Sequence, residues 1–401
     1  GPTQRLTARD CALWPEGMEP LPVLADGPAR VDIAEDAVRL SFDPLALAAL
    51  LLSGAEEILD PARDTNDRFS GAQSVSAREG WLDRPVLDET VALLRGLVTH
   101  LWPGVALVPG RGRMQVSCDV DQPFSPDLRQ PYHYVRAVGG DLISRRDPGL
   151  AIRRAIGGLL TPLGVSRFDL SDTFERFMDV LERNGQRAQF FIISGHSAGA
   201  IDGSYHLHQP RIRALLSRLA ARGHTLGMHG SYNTFRDPAQ IARERGNLMD
   251  TLAQIGVTEQ EHGRGNRQHF LRWDMTQTPD HLQAAGFGFD TSGSYPDVAG
   301  FRYGTAQDFA MWSWQKGHAL DLRQQPLIAM ECSVIAPRFM GLGYGAEAYA
   351  TFERLQDRAM AHGGTFTLLW HNSHFMHEAD WRLFEHLVAR GSQIAGGTVT
   401  P

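Results

Sequence analysis

Met114-Gln-Val-Ser-Cys-Asp-Val-Asp121 reads as a β-strand ending in two carboxylates, followed at once by the chain-turning pair Gln122-Pro123. Side chains alternate across a strand, so Asp119 and Asp121 fall on one face. Two like charges so placed repel unless a cation or a shared proton stands between them. Alone, the pair also suits two solvated acids at a strand end. What decides is the rest of the chain, which sets a complementary polar residue after nearly every later strand.

From Met114 onward, strand, loop and helix repeat. In the segment Asp172 to Asn184, Phe174, Phe177, Met178 and Leu181 fall at i, i+3, i+4 and i+7, the spacing of a helix with one apolar face. Asp172 with Glu175 suits a capping box, and Gly185 ends the helix. Ala188 to Ser194 follows as a buried strand. A helix over Arg211 to Arg222 buries Ile212, Leu215, Leu216 and Leu219 before the strand His224 to Gly230. Asp237-Pro238 opens a helix to about Ile255, and Thr278-Pro279 opens another that ends at Gly286. Further strands are expected over Gln268 to Arg272, Phe287 to Asp290, Leu327 to Cys332 and Thr365 to His371. Helices are expected over Ala346 to His362 and about Glu378 to Arg390. The insert Pro123 to Val165, rich in Pro, Gly and Arg, is expected to pack over the strand ends.

About seven short hydrophobic strands alternating with helices predict an α/β fold with a mainly parallel sheet. In a parallel barrel, function collects at the carboxyl ends of the strands. Asp119, Asp121, His229, Arg272, Asp290 and His371 all fall there. Residues 1–110 read as a separate N-terminal accessory module, and 111–401 as the α/β unit that carries those strand ends. In the first part, Asp43-Pro44 starts a helical apolar block, Pro85 to Leu101 is helical, and Asp60 to Arg78 is loop-like. Its run Asp64-Thr-Asn-Asp-Arg-Phe69 reads as a solvated loop.

The 401 residues suffice for two domains or one large barrel with an appendage. With 42% hydrophobic and 21% charged residues the composition is that of a globular protein, and a net charge of −7 disfavours nucleic acid and anionic lipid as partners. Three cysteines, Cys11, Cys118 and Cys332, support neither a disulfide framework nor a C-x-x-C centre, and a reducing, cytoplasmic setting is the expectation. No run approaches ~18 apolar residues, so no membrane-spanning helix is expected. The initial Gly-Pro reads as a protease-cleavage remnant, so a targeting segment could once have preceded it.

His229 and Asn233 stand four apart, which one helical turn would bring to the same side. With Asp121 they make an N/O set able to hold one divalent ion and leave a position for water. Ordinary hydrogen bonding would use the same residues, so spacing alone assigns no metal. His371, after the apolar run Leu368-Leu-Trp, could donate a proton. The histidines at 206, 208, 262, 269, 374 and 377 show no pattern and read as surface or loop residues. Trp273, Tyr295, Tyr303 and Trp312 suit a sugar-stacking cleft or the core equally.

Asp119-Val-Asp121, Gly223-His224 with His229 and Asn233, Arg272, Gly286-Phe-Gly-Phe-Asp290 and Leu368-Leu-Trp-His371 follow in the order and spacing of a polysaccharide deacetylase. Over roughly residues 112–393 the chain resembles the carbohydrate esterase family 4 superfamily, in a branch whose first motif is D-x-D. The residues before it are similar to the uncharacterised N-terminal region that often precedes this branch.

The resemblance implies a distorted (β/α) barrel of about seven strands, with a smaller N-terminal α/β module, and one divalent metal. Zinc is the first choice of ion, with cobalt, nickel or manganese as alternatives. Motif by motif, it implies Asp119 as general base, and Asp121, His229 and Asn233 as metal ligands. Asn233 departs from the family's usual second His, which puts the metal's identity and affinity in question. Arg272 would pair with the base, Arg267 competing for that role; Asp290 would orient the catalytic His, and His371 would be the general acid. The implied activity is removal of the acetyl group from an N-acetylated sugar or glycan. Two alternatives stay open: a related hydrolase acting on a formyl group or a cyclic amide, as an allantoinase does, and a non-catalytic carbohydrate-binding protein. The sugar and the oligomeric state are left open.

Overall fold

The computed structural model of the chain describes residues 3–108, 110–163, 165, 168–257 and 262–396. Two small antiparallel pairs come first: β1 (Thr3–Leu6) with β2 (Leu21–Leu24), and β3 (Val31–Ile33) with β4 (Val38–Leu40). Helices α1 (Pro44–Leu52), α2 (Ala55–Leu59), α3 (Val75–Arg78) and α4 (Val86–Leu101) follow. Asp43 caps α1 by accepting from the N–H groups of Leu45 and Ala46, as its place before Pro44 predicts. Leu6, Leu21, Val23, Phe42, Leu93 and Leu97 form a core of their own here.

Strand β5 (Arg113–Val120) then enters the main sheet. After it come α5 (Pro131–Ile143), α6 (Pro148–Leu160), α7 (Phe174–Arg183), β6 (Ala188–Ile193), α8 (Pro210–Ala221), β7 (Thr225–Gly230) and α9 (Pro238–Gln254). The chain continues through β8 (Gly265–Gln268), α10 (Thr278–Ala284), β9 (Phe289–Asp290), β10 (Phe309–Ser313), β11 (His318–Gln324) and β12 (Ala329–Met330). It closes with α11 (Glu331–Ile335), α12 (Ala346–Ala361), β13 (Thr365–Leu369) and α13 (Glu378–Gly396). The sheet runs β10-β11-β9-β8-β7-β6-β5-β13-β12, parallel throughout except for the β10–β11 hairpin at one edge. Among the described residues its first and last strands do not pair. This is the distorted, incompletely closed (β/α) barrel with a smaller N-terminal part that the sequence predicts.

Alternation along β5 explains the layering. Met114, Val116, Cys118 and Val120 join the apolar core shared with Phe177 and Leu181 of α7 and with Leu383, Phe384 and Leu387 of α13. Ser117 and Asp119, of opposite parity, carry the polar face toward the sheet's concave interior.

Two local expectations are corrected, and one segment gains elements that the sequence reading did not assign. The insert 123–165 holds two helices, α5 and α6, the second capped by Asp147. At α7 the cap residue is Thr173 and makes no side-chain cap, because the Asp172 carboxylate is drawn to Arg211 and Arg218 at 3.4 and 3.9 Å. The strand expected over 268–272 ends at Gln268, and residues 269–271 form a tight turn instead.

The N-terminal part is bolted to the barrel by buried polar contacts. Arg302 reaches Glu57 at 2.5 Å, Tyr295 donates to Glu56 at 3.2 Å, and Asp88 accepts from Thr305 Oγ1 at 2.5 Å and Ala306 N at 2.8 Å. Burial pushes the Asp88 carboxyl up to about 6, two backbone and hydroxyl donors notwithstanding. Its ordinary value is near 3.9. Between those pH values the folded chain holds a proton that the unfolded chain gives up, so the charged carboxylate penalises the fold increasingly as pH rises through about 6. Asn is the isostere of the protonated acid. Asp88→Asn is therefore expected to stabilise the protein by about 2–3 kcal/mol at pH 8, since each pH unit between the two values contributes ~1.4 kcal/mol. The gain should fade below pH 5 in thermal melts; an equal gain at both pH values would contradict a buried, reluctantly charged Asp88.

Candidate functional site

Strands β5 and β7 are two places apart in the sheet, about 9.6 Å at ~4.8 Å per strand. Yet His229 Nε2, at the end of β7, lies 3.1 Å from Asp121 Oδ1, just past β5. The curl of the sheet closes that gap. His229 is fully buried, and its Nδ1 can only donate, because its partner is the backbone carbonyl of Arg267 at 3.0 Å. That hydrogen bond points Nε2 at Asp121, yet neither Nε2 nor Asp121 Oδ1 has a hydrogen-bond partner among the described residues. A ring lone pair facing a carboxylate oxygen at such a distance is repulsive unless a cation stands between them.

His269 supplies a third donor. Its Nε2 lies 3.5 Å from Asp121 Oδ2, and its Nδ1 is held 3.2 Å from the carboxylate of Asp202. Burial alone would raise Asp202, but hydrogen bonds from His269 and from the N–H groups of Tyr232, Ala198 and Ser197 hold it at about 2. A carboxylate that fixes one ring nitrogen so that the other faces the ion is the usual second layer of a metal site. Asp121, His229 and His269 bring one ligand atom each to within 4.8 Å of one another. The edge of a tetrahedron with bonds of 2.0–2.1 Å is about 3.4 Å, so the trio needs only small adjustment to hold one divalent ion with a position left open. The donor set, the orphaned atoms and the outer carboxylate all fit such an ion.

The turn that delivers His269 is strained. Phe270 and Leu271 have φ of 61° and 56°, in the left-handed region that non-glycine residues occupy at a cost of about 1–3 kcal/mol each. The run 64–69 of the N-terminal part braces it. Arg68 donates to Phe270 O at 3.0 Å, Arg272 to Asn66 O at 2.9 Å, and Tyr232 to Asn66 Oδ1 at 3.0 Å. The loop read from sequence as solvated is thus a wall of the site.

Three sequence-derived assignments move, and the choice between Arg272 and Arg267 falls to the second. Asn233 is exposed and outside the ligand trio; its side chain donates to Ser197 O and accepts from Arg272 at 3.0 Å. Since His229 ends a strand, no helical turn relates it to Asn233. Arg272 braces this loop, stacked on Tyr232 and Phe235 at 4.1 and 4.3 Å, and is not with Asp119. The cation beside Asp119 is Arg267, wholly buried, with Nη1 3.6 Å from Asp119 Oδ2 and Nη2 bonded to Ser117 and Thr291. Asp290 does not orient a histidine; its carboxylate accepts from Asn266 and from Ser292 N and Oγ at 2.7–2.8 Å.

The carboxylate on His371 is Glu331, which sequence reading missed. His371 Nδ1 lies 2.6 Å from Glu331 Oε1, and its Nε2 lies 3.8 Å from Asp121 Oδ2. Burial would lower this imidazole's pKa, but the Glu331 charge and hydrogen bond raise it well above the usual histidine value. Its backbone is fixed by the stack of Trp370 on Phe375 on Trp381 at 5.3 and 3.8 Å. Of the aromatics considered for sugar stacking, Trp273, Tyr295 and Tyr303 are core residues, and only Trp312 is exposed.

Asp119, Asp121, His229, His269 and His371 face one cavity of 170 Å³, with Arg68 and Arg338 at its rim. That is below the ~300–1,000 Å³ that enclose a whole small ligand, and suits an acyl group with the atoms around it.

Residues 6–103 match a family of unknown function (DUF7033). No curated protein gives a significant match. Among solved structures, one from Mycobacterium smegmatis assigned to the polysaccharide deacetylases aligns at 17% identity and TM-score 0.45, over 74% of this chain and 95% of that one. Another so assigned, from Pseudomonas aeruginosa PAO1, aligns at 11% and 0.42 over 72% and 86%. Puue allantoinase aligns at 12% and 0.40 over 75% and 94%. At such values the likeness carries no weight for function, which has to come from the site's own atoms.

Proposed function

We propose that this chain is a metal-dependent amide hydrolase that removes the acetyl group from an N-acetylated sugar. One observation carries the reading. A three-donor group (Asp121, His229, His269) shares one small cavity with Asp119, which has Arg267 buried behind it, and with His371, which has Glu331 buried behind it. The order of Asp119-Val-Asp121, His229 and His371 along the chain agrees with it.

A divalent ion bound by the trio would polarise the amide carbonyl and lower the pKa of a water at the open position. Asp119 faces the same cavity and can take a proton from a water there, with the Arg267 guanidinium 3.6 Å away as its counter-charge. An amine is a poor leaving group until protonated. His371, kept cationic by Glu331, holds a proton on Nε2 at the other side of Asp121 and can give it to the departing nitrogen. Glu331 then stabilises the imidazole in the tautomer that is ready to be recharged. Arg68 and Arg338 border the cavity and add positive charge beside it. Base and acid contribute ~10²–10⁴-fold each.

The test is acetate release from N-acetylated monosaccharides, nucleotide sugars and glycans by ion-loaded protein. Release is expected, and should vanish on chelation and return with added zinc or cobalt. N-formyl sugars and cyclic amides run alongside separate the related hydrolases. If no acetylated sugar is cleaved by loaded protein, the reading fails.

A further inference from the structure

Beside the trio lies a second group of donors for which the reaction has no full use. Strands β12 and β13 pair in parallel, with Met330 opposite Leu369, so the residues leaving each strand emerge side by side. Glu331 and Cys332 start α11, while His371 and His374 are separated by a single 3-10 turn and point to the same side. His371 Nδ1 and His374 Nδ1 both approach one oxygen, Glu331 Oε1, at 2.6 and 2.7 Å. Cys332 Sγ lies 3.2 Å from His374 Nδ1 and 3.5 Å from the same Glu331 oxygen.

The arrangement is unbalanced as a hydrogen-bond network. Two imidazoles and a thiol crowd one carboxylate oxygen, while the other, Oε2, is buried without a partner among the described residues, in a glutamate only 3% exposed. Orienting His371 needs one acceptor and one donor, and leaves His374 and Cys332 unexplained. The four residues bring ligand atoms within 4.8 Å of one another. One sulfur, two imidazole nitrogens and one carboxylate oxygen are the donors of a tetrahedral ion of zinc type, not of magnesium or calcium. With bonds of about 2.0–2.3 Å such an ion sets its donors ~3.4–3.7 Å apart, so the shortest contacts would open by under ~1 Å. Cys332, His371 and His374 all border the cavity, which gives an ion a way in.

We propose that Glu331, Cys332, His371 and His374 form a second, thiophilic cation site, and that filling it switches off the reaction. The ion replaces protons, one leaving the thiol and one each leaving the two imidazole Nδ1 atoms. His371 is then a neutral, metal-held ring, whose remaining Nε2 proton is a far weaker acid than that of an imidazolium. Glu331, turned to the ion, no longer orients it. The inhibitory half rests on His371 being the acid; the binding half does not.

The experiment is a titration of metal-free protein with Co²⁺. Wild type is expected to take up two equivalents, and the second brings a thiolate-to-cobalt charge-transfer band in the near ultraviolet. Cys11 and Cys118 are buried elsewhere and cannot supply it. Cys332→Ser should bind one equivalent with no band, and Asp121→Ala one equivalent with the band. Absence of the band from wild type at two equivalents, or a band that survives Cys332→Ser, would overturn the site. Acetate release with zinc should rise to one equivalent and fall about a hundredfold at two, the scale of an acid's contribution, but stay level in Cys332→Ser. A cobalt–sulfur band with undiminished hydrolysis at two equivalents would overturn the switch. If no acetylated sugar is cleaved at any loading, the proposed function falls, while the cobalt titration still decides the site.

Discussion

His269→Ala and Asp121→Ala proteins are expected to lose the ion of the trio and about 10³-fold or more of hydrolysis, while Asn233→Ala keeps the ion and most of the activity. The contrast follows from placement. His269 and Asp121 each give a donor atom to the trio, whereas Asn233 gives its amide to Ser197 and Arg272 on the outside of the same loop. An ion held by three donors does not survive loss of one with its carbonyl-polarising power intact. Asp202→Asn, which removes the charge behind His269 and also touches the N–H groups of Ser197, Ala198 and Tyr232, should weaken ion affinity by ~10–100-fold. Metal content by mass spectrometry after dialysis, with acetate release, decides it. If Asn233→Ala loses the ion and His269→Ala retains it, the trio is wrongly drawn.

The second large effect is expected from Asp119→Asn, which should keep the ion yet lose ~10²–10⁴-fold in kcat. Asp119 is nearly sealed from solvent, and Arg267 beside it is sealed completely. Removing one charge leaves the other buried and uncompensated, typically at a cost of 3–5 kcal/mol. A drop in activity would then be confounded with a drop in stability. Asp119→Asn combined with Arg267→Met removes both charges, and should recover much of the melting temperature without recovering turnover. Recovery of turnover in the double variant would show that Asp119 serves the fold and not the proton transfer.

Much of this was legible in the chain, and the places where it was not have a common cause. Strands β5, β6, β7 and β13 bury continuous apolar side chains on their helix-facing side, and that pattern is visible in sequence. So are the Asp-Pro helix starts. Strand β8 is Gly265-Asn-Arg-Gln268, polar and yet buried at all four positions, because Arg267 backs Asp119 while Asn266 and Gln268 bond to each other and Asn266 to Asp290. Hydrophobic patterning cannot see such a strand and moves it onto Phe270 and Leu271. That slip exchanges Arg267 for Arg272 and hides His269. Glu331 escaped for a related reason, since β12 has only two residues and the helix starts directly after it.

The order of elements, the parity that aims Asp119 and Asp121 together, and the candidacy of His229 and His371 are written in the amino-acid sequence, because periodicity is a local property. Which histidine completes the trio, which arginine faces Asp119 and which carboxylate holds His371 depend on the curl of the sheet and on a left-handed turn braced from some two hundred residues away. Those are distances through space, and only the folded chain sets them.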